Sequence, residues 1–142
     1  MVHEYGMVHW EKQGAERFKD YVVLNNSGYD AVKSIFPDAY VIVHLAGADS
    51  PQWFFSDYKA AGGKFDMIGV SHYPKADEWN STDPNATHSN INAEKWIKGA
   101  IGQFDVPIIV CETGFDGYQP VLANQVMADL IERLKEVHGC LQ

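Results

Sequence analysis

Val106-Pro107-Ile108-Ile109-Val110-Cys111-Glu112-Thr113-Gly114 is an apolar, largely β-branched run that ends on a carboxylate. Val106 to Cys111 has the composition of a buried strand, and Glu112 stands one position past it, with Thr113-Gly114-Phe115 following at once. A carboxylate in an apolar setting costs free energy unless it is paired or hydrogen-bonded. Where a central strand runs out into a Gly-bearing loop, Glu112 is badly placed for packing and well placed for chemistry. Standing alone, it also has a reading as a structural ion-pair partner.

Two similar runs lie upstream. Tyr40 to Leu45 is short, β-branched and almost unbroken, which predicts a strand buried on both faces, the habit of parallel sheets. Phe65 to Ser71 is a second strand. Between and around them the spacing is helical. Ala15 to Phe36 carries Phe18, Tyr21, Val22, Tyr29, Val32 and Ile35, with Asn25-Asn26-Ser27-Gly28 predicting a kink or two pieces. Ser50 before Pro51 forms an N-cap signal for a helix that closes at Gly62-Gly63. A polar loop from His72 to about Ser89 precedes a helix from Asn90 to Phe104. A last helix from Val121 to Val137 has Leu122, Val126, Leu130 and Leu134 on one stripe.

Strand and helix therefore alternate, which predicts an α/β fold with parallel strands and right-handed crossovers. No Gly-rich phosphate loop follows any strand, so nucleotide binding is disfavoured. Three strands are few for a sheet covered on both sides. The expectation is one incomplete domain over residues 1–142, a partial (β/α)₈ barrel.

Bulk composition narrows the partners. The 142 residues carry a net charge of −8, which argues against nucleic acid and against an anionic membrane surface. No apolar stretch approaches the ~20 residues that span a bilayer. The first residues lack the order of a signal peptide, so a leader for an exported protein would not be in this chain. Cys111 and Cys140 are too few for a disulfide framework, and Cys111, inside the strand run, is expected as a small buried hydrophobe. The six histidines form no close ligand-spaced cluster, so no metal and no cofactor is expected. Aromatic residues make up 13% of the chain, most of them core and a few available to stack on sugars.

If the strands run parallel, their C-terminal ends share one rim. His44 leaves the first strand, Ser71-His72-Tyr73-Pro74 the second and Glu112 the third. Each has an ordinary structural reading, but three consecutive strand ends bearing polar groups are the pattern of a barrel active site.

The segments Val43-His44-Leu45-Ala46-Gly47, Trp53-Phe54-Phe55, Phe65 to Pro74 and Pro107 to Thr113 closely resemble, in order and spacing, segments of the arabinogalactan endo-β-1,4-galactanases of glycoside hydrolase family 53. The likeness runs from about Gly6 to Gln142 and implies roughly the fifth to seventh strand–helix units of a retaining (β/α)₈-barrel glycosidase. It implies Glu112 as nucleophile, Tyr73 as the tyrosine that orients it, His44 near the sugar beside the scissile bond, and Trp79 as a sugar-stacking aromatic. Retaining glycosidases hold two carboxyl groups ~5–5.5 Å apart, one attacking the anomeric carbon and one serving as acid and then base. The second should belong to an Asn-Glu pair ahead of a segment like Gly6-Met7-Val8-His9-Trp10. Glu4 is the acidic residue near that place, but it follows His3; the alternative is a residue encoded before Met1.

The chain departs from the family at His72, where a Tyr is usual, so the subsite there is expected to differ. It departs again at Gly114-Phe115-Asp116-Gly117-Tyr118, which leaves no room for a calcium-binding loop. The resemblance implies a galactan or arabinogalactan partner and a secreted or periplasmic intact enzyme, with this chain alone inactive. The alternatives are another β-glycan, such as mannan or xylan, and a carbohydrate-binding half-barrel that self-associates through open strand edges.

Overall fold

The structure, a computed structural model, describes residues 15–46, 51–80, 87–115 and 119–138. The elements are α1 (Ala15–Ile35), β1 (Ile42–Leu45), α2 (Pro51–Ala60), β2 (Met67–His72), α3 (Ala76–Trp79), α4 (Ser89–Phe104), β3 (Ile108–Thr113) and α5 (Pro120–His138). The strands form one parallel sheet in the order β1-β2-β3. Parallel neighbours need a crossover rather than a hairpin, and α2 and α4 supply the two crossovers.

One face of the sheet is covered by helices. Val43, Leu45, Ile68, Val70 and Ile108 meet Phe18 and Val22 of α1, Phe54, Phe55 and Tyr58 of α2, and Trp96, Ile97 and Phe104 of α4 in a single core. Most of the described rings belong there: Phe54 meets Phe55 edge-on at 5.2 Å and stacks on Tyr58 at 5.9 Å. The opposite face is open among the described residues. Ile42 and Ile109 are each 40% exposed, and His44 is half-buried. The expectation that β1 is buried on both faces is therefore corrected: its side chains alternate, with Val43 and Leu45 packed inward on the helices.

The expected break in the first helix does not occur. α1 runs unbroken through Asn25-Asn26-Ser27-Gly28 because those side chains find partners compatible with the helix. Asn25 Nδ2 donates to Tyr21 O at 2.7 Å and Ser27 Oγ to Val23 O at 3.0 Å, each four residues back. Asn26 reaches out of the helix, donating to Gly62 O at 2.8 Å and accepting from Lys64 N at 2.9 Å. It thereby ties α1 to the turn that ends α2. That turn needs its glycine, since Gly62 has φ +83°.

The N-terminal end of the sheet is fixed by Asp66. Its carboxylate accepts from Tyr29 Oη at 2.9 Å and Val41 N at 2.8 Å and pairs with Lys33 Nζ at 2.8 Å. Among the described residues no helix is long and apolar enough to cross a membrane.

Candidate active site

The C-terminal end of the sheet gathers four side chains. Glu112 Oε2 accepts a hydrogen bond from Tyr73 Oη at 2.9 Å and another from Ser71 Oγ at 3.2 Å. Ser71 Oγ lies 2.8 Å from His44 Nε2. His44, Ser71 and Glu112 come from β1, β2 and β3, and Tyr73 follows β2 directly. Tyr73 and Glu112 are exposed, whereas Ser71 is 2% exposed beneath them.

A bulge makes this meeting possible. Val70 pairs with Val110, yet Ser71 pairs with Glu112, so Cys111 has no opposite number. In a regular strand Glu112 would share its face with Ile108 and Val110, which pack on the helices. The extra residue turns Glu112 to the open face opposite Ser71. Glu112 is thus inside β3, not one position past it. The same bulge corrects the expectation for Cys111, which is exposed instead of buried because its side chain also lies on the open face, over Gly69.

Gly69 leaves room for this arrangement. A Cβ there would sit 2.7 Å from Cys111 Sγ, 2.9 Å from Ile42 Cγ2 and 3.2 Å from His44 Cβ. Gly69→Ala should lower unfolding free energy by about 1–3 kcal/mol through overpacking. Urea denaturation checks it; a loss below about 0.5 kcal/mol would show that the open face yields freely.

The Tyr73 bond first, then that of Ser71, holds the Glu112 carboxyl below its ordinary pKa, against a smaller opposing effect of burial. The same contact pushes the Tyr73 phenol up. Glu112 is therefore a carboxylate over the whole neutral range. Both donors use Oε2, and among the described residues nothing donates to Oε1.

The sequence profile of glycosyl hydrolase family 53 matches residues 3–132. The chain belongs to glycosyl hydrolase family 53. A protein of Niallia circulans, described as an uncharacterized protein in the bgaB 5' region, is 26% identical over 170 residues, covering 99% of this chain and 43% of the relative. The Ignisphaera aggregans GH53 catalytic domain superposes with a TM-score of 0.66 at 23% identity, over 90% of this chain and 40% of that one. The family 53 chain thus spans less than half the length of these relatives and has the fold of part of a (β/α)₈ barrel. In such a barrel the helices form the outer ring. The face bearing His44, Ser71 and Glu112 is consequently the one turned to the axis.

The family 53 residues expected at the site divide into two groups. Glu112, Tyr73 and His44 are brought together by direct bonds and through Ser71. Trp79 lies apart, on α3, with its ring centroid 4.0 Å from that of His88 and tilted by 31°. Its Nε1 is buried without an acceptor among the described residues. Glu4, the N-cap Ser50 and Cys140 lie outside the described residues.

His72 does not join the rim. It is 4% exposed, on the helix side, with Nε2 2.8 Å from Asn90 Oδ1. The substitution therefore alters the packing behind the sheet, not a face open to ligand. Sequence reasoning passed over Ser71 as a functional residue. Period-two alternation, which puts residues 69, 71 and 73 on one face and 72 on the other, was the signal available for both. Among the described residues no group of three or more His, Cys, Asp or Glu is arranged to hold a metal ion.

Proposed function

We propose that the chain carries the nucleophile half of a retaining endo-β-1,4-galactanase site. The observation that supports this reading is the Glu112 carboxylate, held through Oε2 by Tyr73 and Ser71 at the C-terminal rim of a parallel sheet. Glu112 Oε1 attacks the anomeric carbon as the glycosidic bond breaks, giving a glycosyl ester on Glu112. A second carboxyl group outside the described residues, Glu4 being one candidate, protonates the departing oxygen and then draws a proton from water. Water cleaves the ester and restores the carboxylate, so the two inversions yield retention.

His44 would meet the sugar next to the scissile bond. Trp79 would stack on a more distant sugar with the ring surface that His88 leaves uncovered. We place the intact enzyme outside the cytoplasm, secreted or periplasmic, where a polymeric galactan is met. A second reading is favoured by the exposed Ile42 and Ile109 on the open face: the chain covers that face with a copy of itself.

The substrate is tested in a complete barrel carrying this segment, on a panel of β-1,4-galactan, mannan and xylan, with product configuration followed by proton NMR. Galactan cleaved fastest, with β-anomers released first, is the expected result. Inverted products, or a preference for mannan or xylan, would contradict it.

The acid limb of the pH profile reports the carboxylate directly. Glu112 must be ionised to attack, and its lowered pKa keeps it so as pH falls. Tyr73→Phe removes the largest contribution to that lowering, so the acid limb of kcat/KM should move to higher pH. An activated aryl β-galactoside is the right substrate, because its leaving group needs no proton. An acid limb unchanged in Tyr73→Phe would mean that another group titrates there.

A further inference from the structure

We propose that Ser71 is a positioning residue that links His44 to the Glu112 carboxylate through one hydroxyl group. The inference rests on the reading of Glu112 as nucleophile and extends it to a side chain that touches neither sugar nor solvent.

The donor count fixes the direction of the chain. An ionised carboxylate only accepts, so the single Ser71 hydroxyl proton goes to Glu112 Oε2 across 3.2 Å. Ser71 Oγ then faces His44 Nε2 at 2.8 Å with lone pairs only. His44 must therefore donate, which places a proton on Nε2. Because Nε2–H is spent on Ser71, His44 meets a sugar through its remaining ring edge, at Nδ1. Burial supports the role: Ser71 is 2% exposed, and a buried hydroxyl with both a donor and an acceptor has one rotamer to occupy. Tyr73 and Ser71 both grip Oε2, so together they set the plane of the carboxylate, and among the described residues nothing donates to Oε1.

The test uses NMR on the 142-residue chain, and none of its readouts needs turnover. In the wild type the His44 Nε2 proton should exchange with water at least about tenfold more slowly than in free imidazole. The His44 ring signals should also show a second step at the titration midpoint of the Glu112 carboxyl. Ser71→Ala should abolish both and raise the proton affinity of Glu112 roughly threefold or more. Ser71→Thr, which keeps the hydroxyl, should restore them. A fast-exchanging His44 proton in the wild type, with no step at the Glu112 midpoint, overturns the proposal even if Ser71→Ala does not fold. An unchanged Ser71→Ala overturns it too. The parent reading fails separately, if a fluorinated galactosyl reagent does not label Glu112 of the complete barrel while the His44 ring signals still report the Glu112 midpoint.

Discussion

Glu112→Ala, in a complete family 53 barrel carrying this segment, is expected to lower turnover of an activated aryl β-galactoside by ~10⁴-fold or more. The size follows from the role. In the proposed role the carboxylate does not assist a bond that would form without it; it makes the bond, and among the described residues no neighbour is placed to substitute. Tyr73 is a phenol that donates, and Ser71 lies buried with its proton already directed at Glu112. Removing the carboxylate leaves a gap at the anomeric carbon, which a small anion can enter. Added azide should therefore restore turnover and give a galactosyl azide of inverted configuration. A loss below about tenfold, or rescue without that product, would assign the attack to another group.

The second large effect lies behind the site and concerns stability. Asn90 is completely buried and uses its whole amide. Nδ2 donates to Val126 O at 2.9 Å and Asp129 Oδ2 at 3.1 Å, while Oδ1 faces His72 Nε2 at 2.8 Å. An amide oxygen only accepts, so His72 carries its proton on Nε2. One side chain thus ties α4 to α5 and to the end of β2, one residue before Tyr73. The network continues outward, with Arg133 Nε on Asp129 Oδ2 and its Nη1 on Glu94 Oε2, both at 2.8 Å.

Asn90→Leu fills the space and strands a buried imidazole N–H and a share of the Asp129 charge. Each unsatisfied group costs about 1–3 kcal/mol, so the variant should lose about 3 kcal/mol of unfolding free energy. Against a typical total of about 5–15 kcal/mol that is a large fraction. Urea denaturation checks it, and a loss below about 1 kcal/mol would mean that water satisfies the network. The loss should also track pH. Burial opposes the Asp129 charge, but Arg133 and Asn90 outweigh it and lower its pKa in the fold. A depressed carboxyl pKa gives stability that is full above the unfolded value, about 3.9, and lost as pH falls through the folded one. Asn90→Leu should therefore flatten the acid side of the stability curve.

The order of elements, except for the short α3 inside the expected loop from His72 to about Ser89, was legible in the sequence because it rests on apolar periodicity and on a few strong stops. Pro51 opens α2, the Gly62-Gly63 pair closes it, and α5 lies within a residue of its expected ends. What was not legible depends on distant partners. Asn26 looks like a helix breaker until Gly62 and Lys64 occupy it. The bulge at Cys111 is invisible in one strand, since it exists only as a mismatch with β2. Without it, alternation would have sent Glu112 into the helix layer, so the place of Glu112 at a strand end could be read from the sequence while its orientation could not. Ser71 was hidden for a different reason: a serine in a strand is unremarkable until a histidine and a carboxylate reach it from the neighbouring strands.

A covalent bond between Glu112 and the sugar is what the proposed mechanism requires. Incubating the complete barrel with 2,4-dinitrophenyl 2-deoxy-2-fluoro-β-galactoside should trap that ester, and peptide mass spectrometry locates it. One fluorogalactosyl group is expected on the peptide containing Glu112, and none in Glu112→Ala. A label on a different carboxylate, or none on a folded barrel that still turns over the unfluorinated substrate, would contradict it.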